Sequence, residues 1–258
     1  MNTTRAVLPR EYGAYAELGF PVLTAFLAAG VTIPGACFAL AVLAWFLVRE
    51  PLAVLNGVRG ARLEASLRQP ARRAAVALGA VGAIASAAGL LLAPPPARLA
   101  ALVPGLCAVL LAPALLRGRP KTLGAEILVA FALSSMILPI GRAGAMEHAA
   151  ATRAAGVWAA CFVLATLAVH AIKARAKPDL GAAWTRRATP VLALVIVAGG
   201  LLGAVVGPLP TTIALAVLPT ALVVLAAGVL RTHPRRLKRV GWSLVAANAA
   251  TLTLLLAG

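Results

Sequence analysis

The sequence has few acidic residues, few cysteines and few aromatic residues. Its 258 residues include seven acidic side chains and three cysteines, and charged residues make up 12% of the chain. An average soluble domain is about a quarter charged, and uninterrupted apolar runs recur from Leu18 to Gly258. A water-soluble globule, a disordered chain and a repeat solenoid are therefore excluded. Cys37, Cys107 and Cys161 form no CxxC pair, so the sequence indicates neither a disulfide framework nor a thiolate metal site.

Apolar residues dominate what is present. They make up 62% of the chain, and the mean hydropathy is +0.95. A helix needs roughly 20 residues to cross the hydrocarbon core of a bilayer. The sequence predicts an all-α, polytopic bundle of about nine transmembrane helices, forming one membrane domain over residues 1–258. The predicted spans are 14–30, 31–48, 74–93, 98–116, 122–140, 154–172, 188–206, 210–230 and 239–257.

The 24 basic residues give a net charge of +17, and their positions indicate the topology. With a cytoplasmic N-terminus, 21 of them lie on the cytoplasmic side, and only Arg98, Arg142 and Arg153 lie on the other. This asymmetry predicts an N-in, C-out membrane protein. Arginine outnumbers lysine by 20 to 4, which fits a high-GC bacterial genome, so the expected location is the bacterial inner membrane. The expected partners are membrane lipids with anionic headgroups. Nucleic acid is not expected, because no soluble domain is present to carry a groove-reading element.

Four predicted spans end at the predicted cytoplasmic side with the same pattern: aliphatic residues, then basic residues, then proline. The four segments are 47–51, 115–120, 172–178 and 229–234. Such a pattern is how a helix stops at the inner surface. It also fits a fold of duplicated hairpins that share a basic mouth. The sequence leaves both interpretations open.

Three local features complete the predicted topology. The N-terminal arginines precede an apolar run as in a signal peptide, but Glu11 and Glu17 interrupt the approach, so we expect this segment to be retained. The first two spans are crowded, which suggests an unwound segment around Pro34. The largest loop, 49–73, could form a surface helix whose leucines face the lipid, namely Leu52, Leu55, Leu63 and Leu67.

Glu126 is the strongest candidate for a catalytic acid or base. It lies one turn into the fifth predicted span, and a carboxylate at that depth must be paired or face water. Its helical face is expected to point into the bundle as a polar stripe made of Lys121, Thr122, Glu126, Ser134 and Ser135. The alternative is an ion pair at headgroup level with Lys121 or Arg119.

The densest polar stretch is 9–21, which holds both tyrosines of the protein. One interpretation is an interfacial anchor, in which tyrosines lie among the headgroups. The other is a half-buried segment that closes a cytoplasmic cavity, because its glycines allow close backbone approach. In that case ligand contacts come from Arg10, Tyr12 and Tyr15, and Glu17 is a second candidate acid or base.

His170 and Lys173 share a helical face with Lys177 at the end of the sixth predicted span, and Arg175 is close by. Opposite Arg49 and Arg117, these side chains could bind a phosphate or carboxylate. Glu50, next to Arg49, is a further candidate ligand contact. A lone histidine at a helix end is more often structural. Because the three histidines fall on different segments, the sequence supports no haem, no zinc and no other cofactor.

PREYGAY, at 9–15, resembles the opening motif of the YwiC-like bacterial membrane proteins. Two further segments, 117–135 and 169–179, resemble the basic loop with its carboxylate-bearing helix and the V-K-x-x-x-R segment of that family. Tyr12 stands where the family usually has histidine, so the resemblance assigns no proton transfer to that position. The resemblance implies a class of membrane protein and no particular reaction.

Nine helices with a cytoplasmic N-terminus also resemble the UbiA-type prenyltransferases. These enzymes hold a prenyl diphosphate through magnesium, using aspartate-rich motifs in the loops after spans two and six. Here those loops offer Glu50 and Glu64, then Asp179 alone, which is a poor magnesium clamp. A related architecture would therefore imply direct recognition of the anion by arginine and lysine.

The sequence leaves three functions open. The first is a lipid- or isoprenoid-binding protein with a cytoplasm-facing cavity, in which Arg10, Arg49, Lys121 and Lys173 hold an anionic head and the apolar interior holds a chain. The second is a transporter for an anionic metabolite, which would need polar groups near mid-membrane. An accessory role in a membrane complex is a further alternative. The sequence does not decide whether the protein is an enzyme.

Overall fold

The computed structural model describes residues 12–58, 60–116, 122–176, 180–207 and 209–258. The described residues form α-helices joined by short turns, with one 3-10 turn at Pro234–Arg236 and no strand. The helices are α1 (Tyr12–Ala29), α2 (Ile33–Leu55), α3 (Ala61–Leu92), α4 (Pro95–Ala100), α5 (Leu102–Leu116), α6 (Leu123–Ser135), α7 (Ile137–Ala143), α8 (His148–Ala176), α9 (Leu180–Val206), α10 (Thr211–Leu215), α11 (Leu218–Val229) and α12 (Leu237–Leu256).

Eight segments of the described chain are long and apolar enough to cross a membrane, and Gly13–Ala29 is a ninth, shorter one. The prediction of a polytopic helical bundle with about nine spans is therefore confirmed. The eight longer segments are Ile33–Leu55, Glu64–Leu92, Pro95–Leu115, Leu123–Ala143, His148–Arg175, Trp184–Val206, Thr211–Val229 and Pro234–Leu256. The N-in orientation stays a prediction.

Three of these segments are interrupted, and each interruption precedes a proline. Proline has no N–H, and its ring clashes with the carbonyl four residues earlier, so a helix bends or breaks there. The interruptions lie at Ala101, Met136 and Ala216–Val217, before Pro104, Pro139 and Pro219. Hydropathy alone does not reveal them, since the flanking residues stay apolar.

The structure corrects the interpretation of 49–73 as a loop with a surface helix. α2 continues to Leu55, and α3 begins at Ala61. Leu67 of α3 was expected to face lipid, but it is buried in a cluster with Val54 of α2. Long basic side chains can extend to water from the end of a helix. α2 and α3 can therefore remain helical beyond their apolar residues.

The turn between α1 and α2 also differs from the prediction. It lies at 30–32, where Gly30 has a φ of +76°. Pro34 is not unwound but lies in the first turn of α2, where its missing N–H is harmless. The Thr32 hydroxyl caps this helix by accepting from the Gly35 N–H at 3.2 Å.

α8 is the central helix of the bundle. Its Trp158 is fully buried and stacks on Phe162 of the same helix and on Phe20 of α1. The Trp158 Nε1–H donates to the Thr24 hydroxyl of α1 at 3.0 Å, so the buried indole has a partner. These contacts fix α1 against α8.

The interruption between α10 and α11 lies beside buried polar side chains of α12. The Thr251 hydroxyl donates to the Ala216 carbonyl oxygen at 2.7 Å, and the Thr220 hydroxyl lies 3.3 Å from the Asn248 Oδ1. These hydrogen bonds link α12 to the interrupted span and satisfy polar groups that have no access to water.

Candidate functional site

Most of the predicted site residues lie at one end of the bundle. Consecutive spans are joined by short turns and run in opposite directions, so the start of α1, the end of α2, the start of α6 and the end of α8 share that end. This is the end predicted to face the cytoplasm. The residues that it brings together are Tyr15, Glu17, Arg49, Glu50, Glu126, His170, Lys173 and Arg175.

Glu126 and His170 form a pair that joins α6 to α8. The His170 Nε2 lies 2.7 Å from the Glu126 Oε2, and the side chains are 20% and 30% exposed, respectively. Glu126 lies in the first turn of α6, where the helix dipole favours a negative charge. The partner of the carboxylate among the described residues is thus a histidine 44 positions away.

The face of α6 that carries Glu126 points into the bundle, as predicted. Ala130 and Ser134, one and two turns further on, are buried, and the Ser134 hydroxyl donates to the Ala130 carbonyl oxygen at 2.7 Å. Thr122 at the helix start is exposed and caps α6 through the Ala125 N–H. The polar stripe therefore ends at Ser134 and Ser135, whose hydroxyls donate to backbone carbonyls of α6 itself.

α1 and α2 contribute an aromatic and cationic contact at the same end. The Tyr15 and Phe46 rings meet edge to face with centroids 5.4 Å apart, and the Arg49 guanidinium lies 5.2 Å from the Phe46 centroid. Such a cation–π contact is favourable but modest at a partly exposed site. Glu17 and Glu50 are half-buried on the same two helices.

Some predicted ligand contacts cannot be placed. Arg10, Arg119 and Lys121 lie outside the described residues, and Tyr12 begins α1 without a described side chain. Their roles, like those of Glu126 and Glu17 in acid–base chemistry, stay predictions.

The end of α8 carries two separate groups. His170 faces α6, whereas Arg175, five residues later, is turned roughly 140° around the helix axis and contacts the end of α11. Lys173, which lies between these two residues in the sequence, is exposed. The described basic residues of this helix end therefore do not converge on one point, and Lys177 lies outside the described residues.

Arg175 holds the C-terminal end of α11. Its guanidinium donates to the carbonyl oxygens of Ala227, Gly228 and Thr232 at 3.3, 3.1 and 3.2 Å. Terminal carbonyls of a helix lack partners within the helix, and a cation there is favoured by the dipole. Arg175 therefore stabilises the C-terminal end of α11 and the turn that follows it.

The chain leaves α11 through a Schellman motif. The Thr232 N–H donates to the Ala227 carbonyl and the Arg231 N–H to the Gly228 carbonyl, both at 3.2 Å. The residue at the turn, Arg231, has a φ of +45°. Glycine is the usual residue at this position because a side chain is strained there.

Arg175 and Arg231 line an open cleft of about 1080 Å³ between the ends of α8, α9 and α11. We call this the arginine cleft. Four guanidinium groups line it, and its described lining contains no carboxylate. The lining residues are Arg175, Trp184, Arg186, Arg187, Ala188, Val191, Gly228 and Arg231. Arg186, Arg187 and Arg231 are exposed, and Trp184 is 52% exposed.

The interior next to the arginine cleft is nearly closed. Between the described parts of α8, α9 and α11 lies a void of about 10 Å³ that shares Arg175 and Arg186 with the cleft. A space of this size holds at most about one water molecule. The cleft thus opens outward, not into a deep cavity.

Three cleft residues, Arg186, Arg187 and Arg231, were absent from the sequence prediction, as was Trp184. The signal was present as five basic residues in 173–187 and the basic end of 229–234. The seventh span was predicted to begin at 188, whereas α9 begins at Leu180. Arg186 and Arg187 therefore looked like loop residues, although they lie on a helix beside α11.

Among the described residues, no three His, Cys, Asp or Glu side chains come together in a way that could hold a metal ion. The sites that remain are the Glu126–His170 pair and the arginine cleft. Guanidinium groups bind phosphate and carboxylate oxygens, often through two parallel hydrogen bonds. The cleft is therefore suited chemically to an anion.

Comparison with known proteins gives one family. A family model described as YwiC-like protein matches residues 8–141, from just before α1 into α7. The matched segment includes Glu126 and ends before His170 and the arginine cleft. No curated protein and no solved structure matches the chain, so the UbiA-type architecture stays a prediction. Because the family model matches more than half of the chain's residues, the chain belongs to the YwiC-like family.

Proposed function

We propose that this multi-pass membrane protein of the YwiC-like family binds an anionic amphiphile at the cytoplasmic side of the bacterial inner membrane. The observation that carries the proposal is the arginine cleft, with four guanidinium groups and no carboxylate in its described lining. Clustered arginines of this kind recognise phosphate or carboxylate groups. The cleft lies where three apolar spans end, so a headgroup can bind while its chain stays in the bilayer.

The chain of such an amphiphile would lie along the outside of α9. From the cleft onward, this helix exposes Val191, which lines the cleft, and then Leu194 and Val195, each at 58–59%. The void inside is too small for an acyl chain. The proposed binding mode therefore differs from the interior cavity expected from the sequence, and its cations are Arg186, Arg187 and Arg231 rather than Arg49 and Lys173.

No reaction is proposed for the bound molecule. Glu126 and His170 contact each other on a different face of α8 from Arg175. An acid or base acts only within hydrogen-bond reach of the group that it serves. The pair is therefore not assigned to chemistry in the arginine cleft.

Native mass spectrometry of the purified protein tests the proposal. We compare the wild type with an Arg186→Ala/Arg187→Ala variant and a matched control, Arg72→Ala/Arg73→Ala. Both variants remove two adjacent, exposed helical arginines at the same end of the bundle. We expect a co-purifying anionic amphiphile that is reduced at least tenfold only in the cleft variant. Equal retention in all three proteins, or equal loss in both variants, would contradict the proposal.

Transport of an anionic metabolite is the second candidate, and the interrupted spans favour it. Interrupted helices often form substrate sites in transporters, and three spans of the described chain, α4–α5, α6–α7 and α10–α11, are interrupted. However, Ser86, Ser134 and Ser135 donate to backbone carbonyls of their own helices. Uptake of a labelled phosphate ester into proteoliposomes, absent in the Arg186→Ala/Arg187→Ala variant, would favour transport over simple binding.

A further inference from the structure

The charge of the arginine cleft limits the kind of headgroup that it can bind. Arg175, Arg186 and Arg231 line the same cleft, so their positive charges repel one another. A bound anion reduces such repulsion between like charges. The described lining holds no carboxylate, and an anionic ligand would supply the opposite charge.

The backbone at Arg231 is a second observation, independent of charge. Arg231 occupies the left-handed position of the Schellman motif, with a φ of +45°, where glycine would be unstrained. Backbone strain of this kind persists chiefly where a side chain serves a function. Arg175 reinforces this turn, because it holds the carbonyl oxygens of Ala227 and Gly228. Arg175 thus holds the turn that places the Arg231 side chain at the cleft.

The number of available donors matches a phosphate better than a carboxylate. Arg175 donates to three backbone carbonyls, whereas Arg186, Arg187 and Arg231 expose their side chains at the cleft. A phosphate monoester has three terminal oxygens and a charge of about −1.5 to −2 at pH 7. A carboxylate has two oxygens and a single charge, and a phosphodiester likewise has two free oxygens and a single charge.

Building on the proposed function, we infer that the arginine cleft selects an amphiphile whose headgroup is a terminal phosphate monoester, held by Arg186, Arg187 and Arg231. The three arginines come from two elements, the start of α9 and the turn after α11. A headgroup bound between them bridges these elements. Its remaining negative charge offsets the repulsion at Arg175.

Titration of the purified protein in detergent with matched ligands tests this inference. The probes are dioleoyl phosphatidic acid (a monoester), dioleoyl phosphatidylglycerol (a diester), oleate and inorganic phosphate. We expect phosphatidic acid to bind at least tenfold more tightly than each of the other three. Equal binding of the three amphiphiles would overturn the headgroup inference but leave the proposed function standing. Binding of no amphiphile would overturn both. If inorganic phosphate binds as tightly as phosphatidic acid, the claim that the ligand is an amphiphile would be overturned.

The Arg231→Gly variant separates a ligand contact from a structural role. Glycine relieves the strained backbone, so we expect an unfolding temperature equal to or above that of the wild type. Binding of phosphatidic acid should nevertheless fall at least tenfold. An Arg239→Ala variant, which removes an exposed cation of α12 outside the cleft lining, should bind as the wild type does. Unchanged binding by Arg231→Gly would contradict the inference.

Discussion

At the scale of single residues, Glu126 shows how a carboxylate near a membrane boundary is stabilised. The sequence offers Lys121 and Arg119 as neighbours, but the partner among the described residues is His170 of α8. Spacing along one helix could indicate that Glu126 points inward, and it does. It could not indicate the partner, because that depends on α6 and α8 being adjacent in space.

We expect the Glu126–His170 pair to be energetically coupled. In a double-mutant cycle with Glu126→Ala and His170→Ala, the coupling energy should be about 1–2 kcal/mol, since the two side chains contact each other and are partly shielded from water. Equilibrium unfolding in detergent measures it. His148→Ala, at the opposite end of α8, serves as a control that should change stability by less than about 0.5 kcal/mol. Additive single-variant effects would rule out the coupling.

Thr24 offers a second residue-scale test. Its hydroxyl accepts from the buried Trp158 Nε1–H and donates to the Phe20 carbonyl oxygen. Thr24→Val leaves the indole N–H without this partner, so the free energy of unfolding should fall by about 1–2 kcal/mol. Thr253→Val is the matched control, since the exposed Thr253 hydroxyl also donates to a carbonyl four residues earlier. Equal losses in both variants would show that the indole contact adds nothing.

At the scale of elements, α2 and α3 form a hairpin whose packing depends on two glycines. Gly82 and Gly89 lie two turns apart on α3 and receive the rings of Trp45 and Phe38, respectively. Trp45 and Phe38 are likewise seven residues apart on α2. Small residues at helix interfaces allow this close approach in membranes.

A pair of Gly→Ala variants tests this packing. At Gly89, an added Cβ would lie 2.9 Å from Phe38 ring atoms, whereas at Gly79 it would meet nothing within 4 Å. Both changes favour the helix by about 1 kcal/mol, but overpacking at Gly89 costs about 1–3 kcal/mol. We therefore expect Gly89→Ala to unfold at a lower temperature than Gly79→Ala. The reverse order would contradict the ring packing.

The elements also show how far sequence could predict this fold. Hydropathy predicts the spans, because long apolar segments have no other stable environment. It misplaces their ends where basic residues continue the helix, as at α3 and at α9, which begins eight residues earlier than predicted. The arginine cleft was missed for the same reason, since Arg186 and Arg187 were taken for loop residues.

At the scale of the whole molecule, the distribution of basic residues predicts which end faces the cytoplasm. In a background with Cys37, Cys107 and Cys161 replaced, we expect an impermeant maleimide to label Glu147→Cys, between α7 and α8, in intact cells. Arg235→Cys, between α11 and α12, should be labelled only after permeabilisation. These turns lie at opposite ends of the bundle, so the opposite labelling would reverse the topology.

The most direct test of the arginine cleft as a ligand site is an experimental density map of the protein in lipid nanodiscs, with an antibody fragment bound for size. We predict headgroup density in the cleft within hydrogen-bond distance of Arg186, Arg187 and Arg231, with chain density along Val191 and Leu194 of α9. An empty cleft, in a map that resolves ordered lipids elsewhere on the bundle, would contradict this account.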